Sequence, residues 1–205
     1  PLPFRPPSQL AKIVSSVDLL SGGRTILGVG AGWHRPEFDG FSEWLPTGKR
    51  VAQTSEALEL ITTLWGGGTS DFSGRYFSSK GAEILPSPVQ KPHPPMWFGV
   101  KGPKMMELAA LYGDGWIPTN ITPSDYACGL QKLHEIRTDN GIREDIKGAL
   151  QNFEVFTDAS LCLETICEYR DAGCEYYGPI WSYPPDEMIS RIHWFAENVM
   201  SSNEL

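Results

Sequence analysis

The amino-acid sequence predicts an α/β fold in which parallel strands alternate with helices. Five short apolar runs of strand length are each followed by a segment with the residue spacing of a helix. Regular alternation of this kind is typical of an open doubly wound sheet or of a (β/α) barrel. A full barrel has eight such units in about 250 residues. These 205 residues hold five units and a leading helix that would follow a sixth strand.

The first predicted elements are a helix, a strand and a second helix. Gly22 and Gly23 end the first helix, and the apolar run RTILGV predicts a buried parallel strand over residues 24–29. Residues 30–48 are rich in glycine and aromatic residues and are predicted as a loop, and a helix follows over 49–64. The residues at helical spacing are Leu10, Ile13, Val14, Val17 and Leu20 in the first helix, and Val51, Leu58, Ile61 and Trp65 in the second.

Residues 66–95 differ in character from the rest of the chain. They begin with three consecutive glycines, continue with a turn-forming sequence around Ser73, Gly74 and Arg75, and end in the proline-rich run LPSPVQKPHPP. Helical spacing is absent, and prolines block a central strand. The segment is therefore predicted to be an insertion outside the βα repeat that contains a hairpin.

The alternation resumes after the insertion and continues toward the end of the chain. Strands are predicted over 96–99, 115–118, 149–156 and 176–181, and helices over 103–112, 122–138, 160–172 and 186–200. The inner face of the last helix is predicted to carry Ile189, Ile192, Phe195 and Val199. We therefore treat residues 1–205 as one barrel domain with the insertion inside it.

Composition excludes some classes of partner. The net charge of −8 argues against nucleic acid, because phosphate neutralisation needs a basic face. No run approaches the roughly 20 apolar residues of a membrane helix, and no signal peptide opens the sequence, so we expect no membrane partner and a cytoplasmic location. The four cysteines fit no zinc spacing, so no metal site is expected.

A glycine-rich turn, GVGAGW, spans residues 28–33 directly after the first strand. Glycine lets a backbone approach a ligand closely, so the turn suggests a cofactor site. The Rossmann fingerprint needs GxGxxG at the opening of a helix. Here Gly32 comes one place early, Trp33 fills the expected position of the third glycine, and HRPEF is not predicted to open a helix. An NAD site of Rossmann type and a plain tight turn at a barrel rim stay open as alternatives.

A second candidate turn, FGVKGPK, spans residues 98–104 between a predicted strand and a predicted helix. A helix N-terminus presents unpaired backbone N–H groups and the positive end of the helix dipole, so it suits a phosphate. Lys101 and Lys104 add positive charge. The alternative is that both lysines are only solvated.

His34 and Glu37 follow the end of the first strand, where catalytic groups lie in a (β/α) barrel. An imidazole can exchange a proton near neutral pH, so His34 is a candidate acid or base. Glu37 is a second candidate, with a structural ion pair to Arg50 as the alternative. Asp114 is interpreted as a cap or turn former. No nucleophile elbow, phosphate-binding P-loop or HExxH motif occurs, so the chemistry is expected to come from a bound cofactor.

Five stretches occur in an order that resembles one family. They are LAKIVSSVDLLSGGRTILGVGAGWHRPEF, EALELITTLW, DFSGRYFSSKGAEILPSPVQKPHPP, MWFGVKGPK and MMELAALYGDGW. Together they resemble the luciferase-like monooxygenase superfamily, and within it the coenzyme F420-dependent reductases related to methylenetetrahydromethanopterin reductase. The resemblance covers nearly the whole chain and is strongest over residues 10–118.

The resemblance implies a (β/α)8 barrel that holds a flat isoalloxazine or deazaflavin ring at its C-terminal rim. The cofactor-binding residues that it implies are Gly30, Ala31, Gly32 and Trp33 beside the ring, and Gly99, Val100, Lys101, Gly102, Pro103 and Lys104 at the phosphate. Trp33 stands where certain sugar-phosphate-oxidising relatives carry a glutamate, so His34 is the nearest substitute for the acid–base role. Coenzyme F420 is favoured over FMN, because the GVKGPK turn looks more like that branch.

The sequence departs from the family at its start, because the family's first strands precede it. The predicted barrel is therefore incomplete, with about five to six βα units and about three strands lacking. An open barrel exposes strand edges and core, so we expect a homodimer. The predicted function is an oxidoreductase that transfers a hydride from reduced coenzyme F420, or uses reduced FMN and oxygen, on a small organic substrate. The alternative is a truncated, non-catalytic flavin-binding or structural remnant.

Overall fold

The structure, a computed structural model, describes residues 1–153, 158–180 and 183–202. The chain divides into two compact units, Pro1–Asp114 and Gly115–Leu205. Each unit is built on parallel strands, and each is described below by itself.

The first unit contains four helices, two parallel strands and a hairpin. After a 3-10 turn at Leu2–Phe4, the elements are α1 (Pro7–Ser21), β1 (Leu27–Val29), α2 (Arg35–Phe41), α3 (Thr47–Trp65), β2 (Ser70–Ser73), β3 (Ser78–Ala82), β4 (Met96–Phe98) and α4 (Pro103–Tyr112). Strands β1 and β4 pair in parallel, and the hairpin between them forms a separate antiparallel sheet of β2 and β3. The predicted hairpin in the insertion is thereby confirmed.

Helices α1 and α3 pack against each other. Helix α3 buries Leu58, Ile61 and Trp65, as the helical spacing predicts. The indole N–H of Trp65 donates to the backbone oxygen of Ala11 over 3.1 Å, which joins the two helices. Of the apolar residues predicted in α1, only Val14 is fully buried, because the covered face of α1 is made of small and polar residues around Ala11.

The hairpin is attached to α3 by one carboxylate. Glu56 accepts backbone hydrogen bonds from Arg75, Tyr76 and Phe77 over 2.9, 2.7 and 2.6 Å. Desolvation alone would raise the pKa of Glu56, but these three N–H donors outweigh it and lower the pKa below the usual value. The turn between β2 and β3 therefore wraps around a negative charge supplied by the neighbouring helix.

Replacing Glu56 with glutamine is expected to loosen this turn. A neutral amide is a weaker acceptor than a carboxylate, and its NH2 group would oppose N–H donors. Arg75 is exposed, so trypsin should cut after it several-fold faster in Glu56→Gln than in the wild type. Glu59→Gln, an exposed change on the same helix, is the control. Equal cleavage rates in all three proteins would contradict the anchoring role of Glu56.

The proline-rich end of the insertion is attached to α1 in a similar way. Asp18, which is fully buried, accepts from the backbone N–H groups of Val89 and Gln90 over 2.8 and 3.0 Å, and from the Gln90 side chain over 2.7 Å. The same Gln90 amide donates to the backbone oxygen of Thr25 over 2.8 Å. One carboxylate and one amide thus fix the segment that leads into β4.

In its described residues, the second unit contains three parallel strands, each followed by a helix. Its elements are β5 (Gly115–Trp116), α5 (Pro123–Asp139), β6 (Lys147–Phe153), α6 (Ala159–Asp171), β7 (Tyr176–Ile180) and α7 (Pro185–Phe195), and one π-helical turn, Ala196–Met200, extends α7. Strand β6 pairs in parallel with β5 and with β7. The side chains of Thr122 and Asp158 cap the N-termini of α5 and α6. Each accepts the backbone N–H of the residue three positions later, Asp125 and Leu161 respectively.

Aromatic side chains fill the core of the second unit. The rings of Trp116 and Tyr126 stack with centroids 5.1 Å apart, and Tyr169 meets Tyr126 edge-on at 6.1 Å. The hydroxyl of Tyr126 donates to the backbone oxygen of Ala149 in β6 over 3.2 Å. These contacts place α5 and α6 against the strands.

Several predicted boundaries and faces require correction. Strand β1 is three residues long rather than six, and β6 begins two residues earlier than predicted. The predicted ends at 154–156 and Trp181 lie outside the described residues. The prediction of an inner face on α7 was wrong for Ile189 and Ile192, which are 69% and 46% exposed, whereas Val199 is fully buried. Amphipathic spacing identifies the apolar face of a helix but not whether anything covers it.

Candidate functional site

The carboxyl ends of β1 and β4 lie side by side. Val29 pairs with Phe98 in parallel register, and the N–H of Gly99 donates to the backbone oxygen of Val29 over 3.1 Å. The two segments that follow, residues 30–34 and 99–104, therefore leave from one edge of the sheet. We call these two segments together the rim. The structure thus brings together the two turns that the sequence singled out, which begin at Gly28 and Phe98 and are far apart along the chain.

The segment after β1 is not a plain loop. The sequence predicted no helix at HRPEF, but α2 occupies residues 35–41, with Pro36 in its first turn and His34 as its N-cap residue. Proline is well suited to the first turn of a helix because it has no N–H that needs an acceptor there. The predicted loop over 30–48 is corrected accordingly.

Gly32 is required by both conformation and packing. Its φ angle is +79°, a region that other residues rarely adopt. An added Cβ would lie 2.3 Å from Cε2 of Phe38, whose ring rests directly against the Gly32 backbone. Phe38 is fully buried and contacts Phe4 and Trp44 edge-on, with centroids 4.8 and 5.0 Å away. The backbone of Gly32, in the rim, therefore packs against an aromatic cluster formed by Phe4, Phe38 and Trp44.

Three other glycines near the carboxyl ends of β1 and β4 have neither a positive φ nor a neighbour that would exclude a side chain. Gly28, Gly30 and Gly102 do not adopt positive φ. Among the described residues, a Cβ at Gly28 or Gly102 would meet no atom within 4 Å, and one at Gly30 would meet only a backbone nitrogen at 3.9 Å. Their bare backbone is open to the outside of the protein. The sequence placed all three glycines in the two candidate turns but assigned a cofactor-binding role only to Gly30 and Gly102.

The candidate catalytic side chains lie at the start of α2. Trp33 is 85% exposed, its ring centroid lies 5.0 Å from that of His34, and both His34 and Glu37 are exposed. Glu37 does not form the alternative ion pair with Arg50 among the described residues. The Arg50 guanidinium instead donates to Leu45 and Thr47.

The segment after β4 ends in the N-terminus of a ten-residue helix. Gly102 is the N-cap of α4 with φ −71° and ψ 141°, Pro103 opens the helix, and no side chain caps it. Lys101 and Lys104 are exposed, whereas the Val100 side chain is buried. An uncapped helix start with two neighbouring lysines can accept an anion such as a phosphate.

Asp114 has a structural role, as the sequence suggested. Its carboxylate accepts from the backbone N–H of Met96 and its own N–H donates to the Met96 oxygen, each over 2.8 Å. These two bonds join Asp114, which follows α4 in the chain, to Met96, the first residue of β4. Asp114 therefore helps to hold in place the strand that leads into the second segment of the rim.

The rim combines open backbone, an exposed aromatic ring and an anion-accepting helix start. Its members are Gly30, Ala31, Gly32, Trp33, His34, Gly99, Val100, Lys101, Gly102, Pro103 and Lys104, with Glu37 in the first turn of α2. These features fit a flat ring bearing a phosphate, because glycines without side chains let a planar group lie against the backbone.

No helix in the described ranges is both long and apolar enough to cross a membrane.

Comparison with known proteins agrees with this fold. Residues 1–177 match the luciferase-like monooxygenase family. The chain is 32% identical over 140 residues to a phthiodiolone/phenolphthiodiolone dimycocerosates ketoreductase of Mycobacterium bovis (strain BCG / Pasteur 1173P2). That match covers 67% of this chain and 36% of the relative, so the chain spans about a third of the curated relative it matches.

Solved structures show the same fold. An F420-dependent secondary alcohol dehydrogenase in complex with an F420-acetone adduct superimposes with a TM-score of 0.80 at 20% identity, over 95% of this chain and 74% of the other. The coenzyme F420-dependent tetrahydromethanopterin reductase from Methanopyrus kandleri gives 0.74 at 16% identity, over 96% and 79%. The monooxygenase RslO1 from Streptomyces bottropensis gives 0.74 at 18% identity, over 97% and 75%.

These likenesses confirm the predicted α/β fold of luciferase-like type. The described residues contain five parallel strands, two in the first unit and three in the second, where a closed (β/α) barrel has eight. The incomplete barrel that the sequence predicted is therefore what the structure contains. By fold and by sequence, the chain belongs to the luciferase-like monooxygenase family.

Proposed function

We propose that this protein is an oxidoreductase that binds a flavin or deazaflavin at the rim, with coenzyme F420 favoured over FMN. The observation that carries the proposal is the open backbone of Gly30 and Gly102 at the rim, which neither φ nor packing explains. Open glycines also occur elsewhere, for example at Gly48. Those at the rim differ because they border the carboxyl edge of two parallel strands, where this class of fold holds its ligands.

Each part of the rim has a role in this proposal. Residues 30–33 hold the ring, with the exposed indole of Trp33 beside it. Residues 99–104 hold the phosphate through backbone N–H groups at the start of α4 and the charges of Lys101 and Lys104. His34, with Glu37 in the next turn, donates or accepts a proton.

The substrate that we propose is a ketone or the matching secondary alcohol. The curated relative is named a ketoreductase, and one structural relative is a secondary alcohol dehydrogenase with an F420-acetone adduct. When bound, the reduced cofactor supplies a hydride to the carbonyl carbon. The protein's part is to supply one proton to the carbonyl oxygen, for which we propose His34. One hydride and one proton convert the ketone into the alcohol and leave the cofactor oxidised.

We also propose that the chain forms a homodimer. Ile13, Val17 and Leu20 are 51%, 47% and 86% exposed on α1, away from the face that α1 buries. Solvent contact of such side chains is unfavourable by about 25 cal/mol per Å². Light scattering on a sizing column should therefore give twice the chain mass of 22.7 kDa, and Val17→Ser should shift the equilibrium toward monomer. A monodisperse monomer that melts cooperatively would contradict this proposal.

The function is tested by what purified protein carries and converts. Its visible spectrum and the mass of any released cofactor should identify coenzyme F420 or FMN after expression in a host that makes both. Added ketones should then oxidise the reduced cofactor at a rate that depends on protein concentration. Cofactor binding without turnover would instead support the non-catalytic remnant. Binding of neither cofactor would overturn the proposal.

A further inference from the structure

Arg50 carries a buried positive charge without an acidic partner. Its exposed fraction is 5%, and no carboxylate within the described ranges lies within 4 Å of its guanidinium. Two of its nitrogens donate, one to the Leu45 oxygen over 2.5 Å and one to the Thr47 hydroxyl over 3.4 Å, while Nε has no acceptor among the described residues. Burying an unpaired charge is costly, so the surroundings of Arg50 must compensate for it.

The compensation comes from an aromatic ring. The guanidinium carbon lies 3.8 Å from the ring centroid of Trp44, which is within the range of a cation–π interaction and close enough for stacking. The Phe38 ring lies 5.8 Å from the same carbon. Arg50 therefore stacks on the Trp44 ring. Through its hydrogen bonds to Leu45 and Thr47 it also holds the chain that connects α2 to α3.

These contacts continue to the rim. Trp44 meets Phe38 edge-on at 5.0 Å, and the Phe38 ring occupies the space where Gly32 would carry a Cβ. The path from Arg50 to the backbone of Gly32 therefore runs through two aromatic rings in direct contact. Helix α2, which carries Phe38, has only seven residues. A helix of this length is not stable alone and depends on its packing.

We propose that Arg50 is a positioning residue that sets the conformation of the rim at residues 30–34 through Trp44 and Phe38. The expected effect of Arg50 on cofactor binding rests on the proposed function, whereas its effect on the conformation of residues 30–34 does not. A lysine at this position could not match the flat guanidinium, which stacks on an indole and donates in two directions at once. A methionine would fill some of the volume but remove the charge and both hydrogen bonds.

Hydrogen exchange of backbone amides tests the positioning role without any cofactor. In Arg50→Met, amides of residues 30–45 should exchange about tenfold faster or more, while those of α4, residues 103–112, keep their wild-type rates. Lys49→Met, an exposed change beside Arg50 on the same helix, should alter neither. Trp44→Leu removes the other half of the stacked pair and should give the same local pattern if Arg50→Met fails to fold. Unchanged exchange over residues 30–45, or an equal rise in α4, would overturn the proposal.

Cofactor affinity provides the second readout. Coenzyme F420 should bind Arg50→Met at least about tenfold more weakly than the wild type, with Arg50→Lys between the two and Lys49→Met unchanged. Faster exchange over residues 30–45 with wild-type cofactor affinity would overturn the link from Arg50 to the cofactor. If the wild type binds neither F420 nor FMN, the proposed function is wrong, and the exchange pattern alone decides the positioning role.

Discussion

Replacing Gly32 with alanine is expected to lower the free energy of unfolding by about 3 kcal/mol. Two penalties add at this position. The backbone has φ +79°, which strains any residue with a Cβ, and the new methyl group would lie 2.3 Å from the buried Phe38 ring. Because Phe38 is enclosed by Phe4 and Trp44, its ring has little room to move. Urea unfolding followed by tryptophan fluorescence measures the loss.

Gly30→Ala is the matched control, two residues away on the same segment. Gly30 has no positive φ, and its nearest neighbour to an added Cβ is a backbone nitrogen at 3.9 Å. Its stability should therefore equal that of the wild type or exceed it by up to about 1 kcal/mol, because alanine restricts the unfolded chain. Equal losses in Gly30→Ala and Gly32→Ala would contradict the different roles assigned to these glycines.

Replacing Asp18 with alanine is the second change with a large expected effect, a loss of about 3 kcal/mol. The substitution leaves the backbone N–H groups of Val89 and Gln90 without their acceptor and removes one of the two acceptors of the Gln90 side-chain amide, at a position that is fully buried. The segment before β4 should then become accessible to proteases, and thermal and urea unfolding should both report the loss. Lys12→Ala, an exposed change on the same helix, should have little effect. A near-wild-type Asp18→Ala would mean that the proline-rich segment is held by other contacts.

The same carboxylate makes stability depend on pH. Burial by itself would raise the pKa of Asp18, but the hydrogen bonds from Gln90, Val89 and Thr25 prevail and lower it. Since the pKa in the folded protein is below that in the unfolded chain, the contribution is complete above about pH 4. It is lost as the pH falls through the lower, folded value. The acid limb of a stability–pH curve should therefore be less steep in Asp18→Ala than in the wild type.

Local pattern was sufficient to predict the order of strands and helices but not α2. Turn chemistry follows from residue type, so the hairpin near Gly74 and the helix start at Pro103 were predictable. Helix α2 has seven residues, includes Gly40, and buries only Phe38. Its stability comes from the contacts of Phe38 with residues before and after it in the chain, which no local spacing reports.

The candidate site was predictable as a set of residues but not as a set of roles. The sequence marked Gly30, Gly32 and Gly102 alike, because each follows or precedes a strand or helix in a glycine-rich turn. Only the three-dimensional neighbours separate Gly32, which Phe38 requires, from Gly30 and Gly102, which nothing in the described chain requires. Arg50 was considered only as a partner for Glu37, since a stacking contact with Trp44 has no sequence signature.

Titration with coenzyme F420, and with FMN in parallel, tests the central claim most directly. Three proteins are compared: the wild type, Gly30→Leu, and Gly48→Leu, which places the same side chain at an equally open glycine away from the rim. We expect saturable binding of one cofactor by the wild type and by Gly48→Leu, and binding about tenfold weaker or more by Gly30→Leu, a difference of about 1.4 kcal/mol. Binding of neither cofactor by the wild type, or equal affinity in all three proteins, would contradict cofactor binding at the rim.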